Sequence, residues 1–190
     1  FFFPEILEEK KEKEEKEIRT SKINNHNLNE KLISPKVNDS LINKELKMTY
    51  GIFSNAAIGK NTNYVIENEK LKITVASKGG RIISAILKEF QTYDSLPLDL
   101  YDTDSSRFNL EFTTGQNINT EDLYFVAENK GNSLSMKLKA DDNHYIEYLY
   151  TLSNDYLVDF DIRMVGMKNL IPPSVDYMNL DWQMYTPQTE

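Results

Sequence analysis

From about Tyr50 onward the sequence predicts an all-β fold, an antiparallel β-sandwich, and three observations predict it. Apolar and polar residues alternate with period 2 in several short runs, as in strands with one face buried. Turn-forming clusters separate those runs at close spacing. No long 3.6-residue apolar period lies between them, so strands rather than helices must cover the core.

The first element is a hairpin. Leu71, Ile73 and Val75 alternate with Lys72, Thr74 and Ala76, and a second apolar run goes from Ile82 to Leu87. Between them, Ser77-Lys78-Gly79-Gly80 supplies two residues that take positive φ without a Cβ penalty. Phe108, Leu110 and Phe112 then alternate with Asn109, Glu111 and Thr113, and Leu134, Met136 and Leu138 with Ser135, Lys137 and Lys139. Val158, Phe160, Ile162 and Met164 alternate with Asp159, Asp161 and Arg163, and Leu180, Trp182 and Met184 with Asp181 and Gln183. Gly115-Gln116-Asn117, Asn129-Lys130-Gly131-Asn132, Asp141-Asp142-Asn143 and Pro172-Pro173-Ser174 mark the turns. Phe108, Leu110, Phe112, Val158, Phe160, Ile162 and Trp182 are expected to face inward.

Upstream the character differs. Residues 5–19 are mostly Glu and Lys, with Ile6, Leu7 and Ile18 the apolar exceptions, and pairs such as Glu9/Lys13 and Glu12/Lys16 support a solvated helix. Residues 20–48 are rich in Asn, Lys and Ser, a composition that buries too little to offset its ordering entropy. The expected organisation is therefore a charged tether over 1–48, helical then disordered, and a folded domain over 49–190. Phe1-Phe2-Phe3-Pro4 reads either as the last residues of an apolar span or as a stray apolar start. No run in the chain is long and apolar enough to span a bilayer.

The formal charge of −8 is unevenly placed. Through Asn63 there are 11 Lys and Arg against 10 Asp and Glu; from Tyr64 onward there are 11 against 20. An acidic body is a poor partner for nucleic acid or an anionic bilayer. The chain has no cysteine, which excludes disulfides, thiolate metal sites and a thiol nucleophile.

No constellation reads as a catalytic, cofactor or metal site. His26 lies in the tether and His144 at a hairpin turn, too far apart in character to act as paired acid and base. Asp102-Thr103-Asp104-Ser105-Ser106 opens like a calcium loop, but Arg107 stands where the sharp turn wants Gly and Thr113 where the loop wants Glu. A polar inter-strand turn is the better reading, and Asp141-Asp142-Asn143-His144 likewise suits a hairpin tip. Lys78-Gly79-Gly80-Arg81 is followed by strand rather than by the helix a phosphate cradle needs. Tyr145, Tyr148, Tyr150 and Tyr156 form a cluster better suited to core and cross-strand packing than to ligand stacking. Asn38-Asp39-Ser40 is formally a glycosylation sequon, a three-residue pattern too common to assign a role by itself.

An ordered series of short segments carries a family resemblance: Asn68-Glu69-Lys70-Leu71-Lys72-Ile73, Ser77-Lys78-Gly79-Gly80-Arg81-Ile82, Leu87-Lys88 and Thr92-Tyr93-Asp94. It continues through Pro97-Leu98-Asp99-Leu100-Tyr101-Asp102 and Asn119-Thr120-Glu121-Asp122-Leu123-Tyr124-Phe125. The series resembles the periplasmic domain of YidC membrane-protein insertases, the Bacteroidetes type most, over roughly residues 50–190. The resemblance implies a large sandwich similar to galactose mutarotase, incomplete at its C-terminal end because the family's domain is longer. It implies a non-catalytic scaffold or docking module on the periplasmic face of the bacterial inner membrane. Its parent would insert and help fold inner-membrane proteins, alone or beside the Sec translocon, through spans not present in this chain. No cofactor is implied, and the sequence assigns no partner-binding residues. The alternative is a stand-alone carbohydrate-binding or mutarotase-like sandwich; a lipoprotein or adhesion module is weaker, because its Cys anchor is missing.

Overall fold

The computed structural model describes residues 35–101 and 103–186, so the Glu/Lys run, His26 and Asp102 lie outside the described residues. The chain divides into two units, Phe1–Lys44 and Glu45–Glu190. Helix α1 runs over Pro35–Tyr50, which corrects the expectation of a disordered stretch up to residue 48. Pro35 at the first helical position needs no hydrogen-bond donor there and brings a φ already suited to a helix. Leu41, Ile42 and Met48 of α1 are all solvent-exposed. A 3₁₀ segment, Gly51–Ala57, follows and buries Phe53 and Ala56.

Eleven strands follow among the described residues: β1 (Asn63–Glu67), β2 (Leu71–Ala76), β3 (Ile82–Gln91), β4 (Pro97–Asp99), β5 (Arg107–Thr113), β6 (Asn117–Asn119), β7 (Val126–Lys130), β8 (Ser133–Lys139), β9 (Tyr145–Leu152), β10 (Val158–Val165) and β11 (Asn179–Gln183). They form three sheets, ordered β1-β2-β3-β4, β10-β9-β8-β7 and β11-β5-β6. Every paired neighbour is antiparallel, so the all-β sandwich expected from the alternation is the architecture.

The expected hairpin is β2–β3, with Leu71 opposite Leu87 and Ile73 opposite Ala85. Its turn is buried rather than solvated. Gly79 and Gly80 take φ of 76° and 61°, and a Cβ on Gly80 would lie 2.9 Å from the Phe125 ring. Tyr150 donates its hydroxyl to the Gly80 carbonyl at 2.6 Å, tying the turn to β9. Two features of the sequence therefore meet in one contact: a turn that must be glycine and a tyrosine whose polar end needs a buried partner.

One hydrophobic core joins the three sheets. Ile73 and Val75 of β2, Phe108, Leu110 and Phe112 of β5, Leu134, Met136 and Leu138 of β8, and Ile146 and Tyr148 of β9 are all buried in it. A buried polar knot holds β5 to its neighbours. The Thr120 hydroxyl accepts from the Leu110 amide at 2.8 Å and from the Tyr148 hydroxyl at 3.2 Å, and donates to Asn109 Oδ1 at 3.3 Å. Asn109 is therefore buried although the alternation places it outward.

Val158, Phe160 and Ile162 are only half-buried, and Trp182 is 53% exposed. Trp182 faces inward as expected, but it is not fully covered. Its ring does point at the core, edge-on to Phe108 at 5.7 Å and to Phe160 at 6.2 Å. But among the described strands β11 pairs on one side only, with β5, which leaves the indole partly open. An edge strand keeps the period-2 pattern of a covered strand without the cover.

Candidate functional site

An apolar cleft of about 580 Å³ opens among the described residues. Leu71 and Ile73 of β2 and Leu87 of β3 contribute one part of its wall; Tyr150, Phe160 and Trp182 contribute another. Sequence alternation builds it directly, since each of these strands sends alternate side chains to the same face. Phe160 is its aromatic hub, 4.8 Å from Tyr150, 5.6 Å from Phe108 and 5.7 Å from Tyr148 between ring centroids.

A group of polar contacts ties the turn after β9 to the β1–β2 turn and to β3 beside this cleft. Asn68 donates its side-chain amide to the carbonyls of Ser153 and Asp155 at 2.7 and 2.8 Å. Lys70 pairs with Asp155 at 2.8 Å and sits 5.2 Å from the Tyr156 ring centre. Tyr156, which lines the cleft, donates its hydroxyl to Glu89.

The chemistry available in the cleft is that of apolar contact. Among the described residues no Asp, Glu, Lys, Arg or His lines it. Burial pushes the Tyr150 phenol well above its ordinary range, and the hydrogen bond to Glu89 raises that of Tyr156. Neither can serve as a base near neutrality. An apolar side chain or an extended peptide is what such walls favour.

The candidates singled out in the sequence do not converge. His144 Nδ1 lies 2.8 Å from both Asp141 carboxylate oxygens at the tip of the β8–β9 hairpin. The hydrogen bond from His144, with the Asn143 amide second, holds the Asp141 carboxyl below its usual range. The pair closes a turn on itself and lines neither this cleft nor the smaller one of about 400 Å³ near Lys60 and Tyr124. Thr103 donates its hydroxyl to the Ile83 carbonyl, and Ser106 accepts at its carbonyl from Arg81 and at its hydroxyl from the Tyr185 amide. Arg107 pairs with Glu121 at 2.8 Å and Asp181 at 3.4 Å. That segment thus links strands. Among the described residues no group of three or more His, Cys, Asp or Glu side chains is placed to hold a metal.

Of the tyrosine cluster, Tyr148 and Tyr150 are core, Tyr145 lies on the opposite face with Lys137 5.5 Å from its ring centre, and Tyr156 sits in a turn. The cleft itself had no sequence signal as a site. Its walls come from strands far apart in the chain, each of which reads as ordinary core.

Among the described residues no helix is long and apolar enough to cross a membrane. No solved structure matches the chain. Proteins called "Membrane protein insertase YidC" do match: one from Parabacteroides distasonis is 34% identical over 157 residues, 80% of this chain and 25% of that one. One from Phocaeicola vulgatus is 38% identical over 142 residues, covering 73% of this chain and 23% of its own, and one from Bacteroides fragilis is 36% identical with the same coverage. The chain thus spans about a quarter of the length of these curated relatives. A family model described as "YidC periplasmic domain" matches residues 63–189, and that description puts the domain on the periplasmic side of the bacterial inner membrane. With most of its length matched and its β-rich body falling within the matched region, the chain belongs to the YidC periplasmic domain family.

Proposed function

We propose that this domain is the non-catalytic, extracytoplasmic scaffold of a membrane-protein insertase, and that it contributes by docking partners rather than by chemistry. The observation that carries the reading is the family match over 63–189, joined to relatives named as insertases. The parent's substrates are inner-membrane proteins, and its partners include Sec translocon components. Residues 1–48 form the tether and 49–190 the docking body. The largely apolar lining of the cleft among the described residues supports a docking role.

The carbohydrate-active alternative gains no support. His144 is engaged with Asp141 at a hairpin tip and lines neither concavity, and the larger of the two is almost wholly apolar. Removal of residues 49–190 from the full-length protein, with its spans intact, tests the docking role by co-purification. Recovery of translocon and substrate partners is expected to fall sharply; unchanged recovery would contradict docking. Turnover of a sugar by the purified domain, abolished by His144→Ala, would replace this reading with the alternative.

A further inference from the structure

We infer that the smaller groove is a docking site for an acidic, extended segment of a partner polypeptide, a site that rests on the docking role proposed above and gives it a partner chemistry. The groove holds about 400 Å³, and Lys60, Tyr64 of β1, Ser77, Tyr124, Val126 of β7 and Lys139 of β8 line it. Two lysines thus stand in this wall and, among the described residues, no Asp or Glu does. The surrounding body has the opposite balance, 20 acidic against 11 basic residues from Tyr64 onward. A patch of charge opposite to that of the body selects a segment that the rest of the body repels. Lys139 also pairs with Asp142 at 2.9 Å, but that carboxylate is 91% exposed and outside the wall, so an incoming carboxylate replaces it at little cost.

The groove is shaped by bonds already made. Ser77, itself buried, accepts from the Thr62 amide at 2.8 Å and donates to the Lys60 carbonyl at 3.2 Å, which fixes the backbone beneath Lys60. The Tyr124 amide donates to the Ala56 carbonyl at 2.7 Å. A Cβ on Gly59 would lie 2.6 Å from the Tyr124 ring, so the loop at 58–60 lies tight against this wall. Further along the same two strands, Asn129 donates its side-chain amide to the Val65 carbonyl at 3.1 Å and bridges β7 to β1. Walls fixed in advance lose little freedom when a segment settles between them.

The class of occupant follows from the donors that remain. A phosphate cradle presents backbone N–H groups, but the amides of Ser77, Tyr124 and Phe125 are given to the carbonyls of Thr62, Ala56 and Ser77. The wall meets an anion instead with two flexible ammonium groups on separate elements, which suits carboxylate side chains spaced along a chain. Tyr64, Tyr124 and Val126 offer apolar contact to the side chains between those carboxylates. Val126 is 54% exposed, so the rim stays open to an entering segment.

The test uses the full-length protein in a neutral detergent, with a benzophenone photo-cross-linker in place of Val126 and cross-links located by mass spectrometry. The probes are a short peptide alternating Glu and Leu and its Lys and Leu counterpart. Cross-linking of the Glu peptide is expected to saturate and to exceed that of the Lys peptide at least about tenfold, a comparison that leaves both lysines in place. Lys60→Glu combined with Lys139→Glu is expected to lower it at least about tenfold, and Lys130→Glu, outside the wall, to leave it unchanged. Equal cross-linking of the two peptides, or an equal fall in Lys130→Glu, would overturn the inference. Loss of the cross-link to inorganic phosphate or to short-chain phosphatidylglycerol, at matched ionic strength, would show a phosphate or lipid-headgroup site and overturn it. Cross-linking of the protein to itself would show a second copy, with the same consequence. Partner recovery that falls on removal of residues 49–190 but survives the double Glu variant would overturn the groove and leave the docking role standing.

Discussion

At the scale of single residues, the contact between Tyr150 and Gly80 carries more constraint than its size suggests. The hydroxyl satisfies a buried carbonyl at 2.6 Å, and burial keeps the phenol protonated across any physiological pH. Tyr150→Phe leaves that carbonyl unpaired and should cost about 1–2 kcal/mol in a denaturant titration. Gly80→Ala should cost more, about 2 kcal/mol or above, because the new methyl meets Phe125 at 2.9 Å on a residue held at φ 61°. A variant as stable as the parent would show that the turn is less tightly packed than described. Core position matters in the same way. Leu134→Ala, at a fully buried site, should lose about 2–5 kcal/mol, whereas Trp182→Ala in this chain should lose less than about 2 kcal/mol despite removing a larger side chain. Equal losses at the two sites would mean that Trp182 is covered.

At the scale of elements, the outer face of the β7–β8 pair is held by charge. Glu128 pairs with Lys137 at 2.8 Å and with Lys130 at 2.9 Å. Those hydrogen bonds, Lys137's foremost, pull the Glu128 carboxyl down to about 2. A carboxyl whose folded pKa lies below its unfolded value contributes its stability above the unfolded value, and loses it as pH falls through the folded one. Unfolding midpoints between pH 5 and pH 2 should therefore drop less steeply in Glu128→Gln than in the parent, with the difference shrinking at high salt. Identical slopes would remove the pair from the account. The N-terminal region has a separate test. The helical residues of α1 expose Leu41, Ile42 and Met48, and the tether composition offers little else to bury. Limited proteolysis should cut within residues 5–48 and spare residues 64–186. Early cuts inside the latter range would move the proposed boundary.

What could be read from the sequence also sorts by element. β2, β5, β8 and β10 were legible because each has three or more apolar residues in strict alternation, and β3 because its apolar run follows the Gly79-Gly80 turn. β4 and β6, three residues each, were not, because so short a run holds too few alternations, and neither were β1 and β7, whose Asn63-Tyr64-Val65-Ile66-Glu67 and Val126-Ala127-Glu128-Asn129-Lys130 do not alternate apolar with polar. The helix over Pro35–Tyr50 was hidden by a mixed composition with no continuous apolar stripe. Exposure was the least legible property: β11 has the pattern of a buried strand and lies at an edge. The cleft was not legible at all, since only the folded sheets bring Leu71, Phe160 and Trp182 to one wall system.

For the molecule as a whole, the central claim is that this domain supports an insertase without performing its chemistry. The largely apolar walls of the cleft among the described residues, and the hairpin-tip Asp141 engaged with His144, fit the proposed docking role. The direct measurement is membrane insertion of a reporter protein in cells whose only copy of the full-length protein lacks residues 49–190, with its membrane level matched to that of the intact protein. The account predicts that most of the insertion activity survives. Complete loss of insertion at matched levels would contradict it.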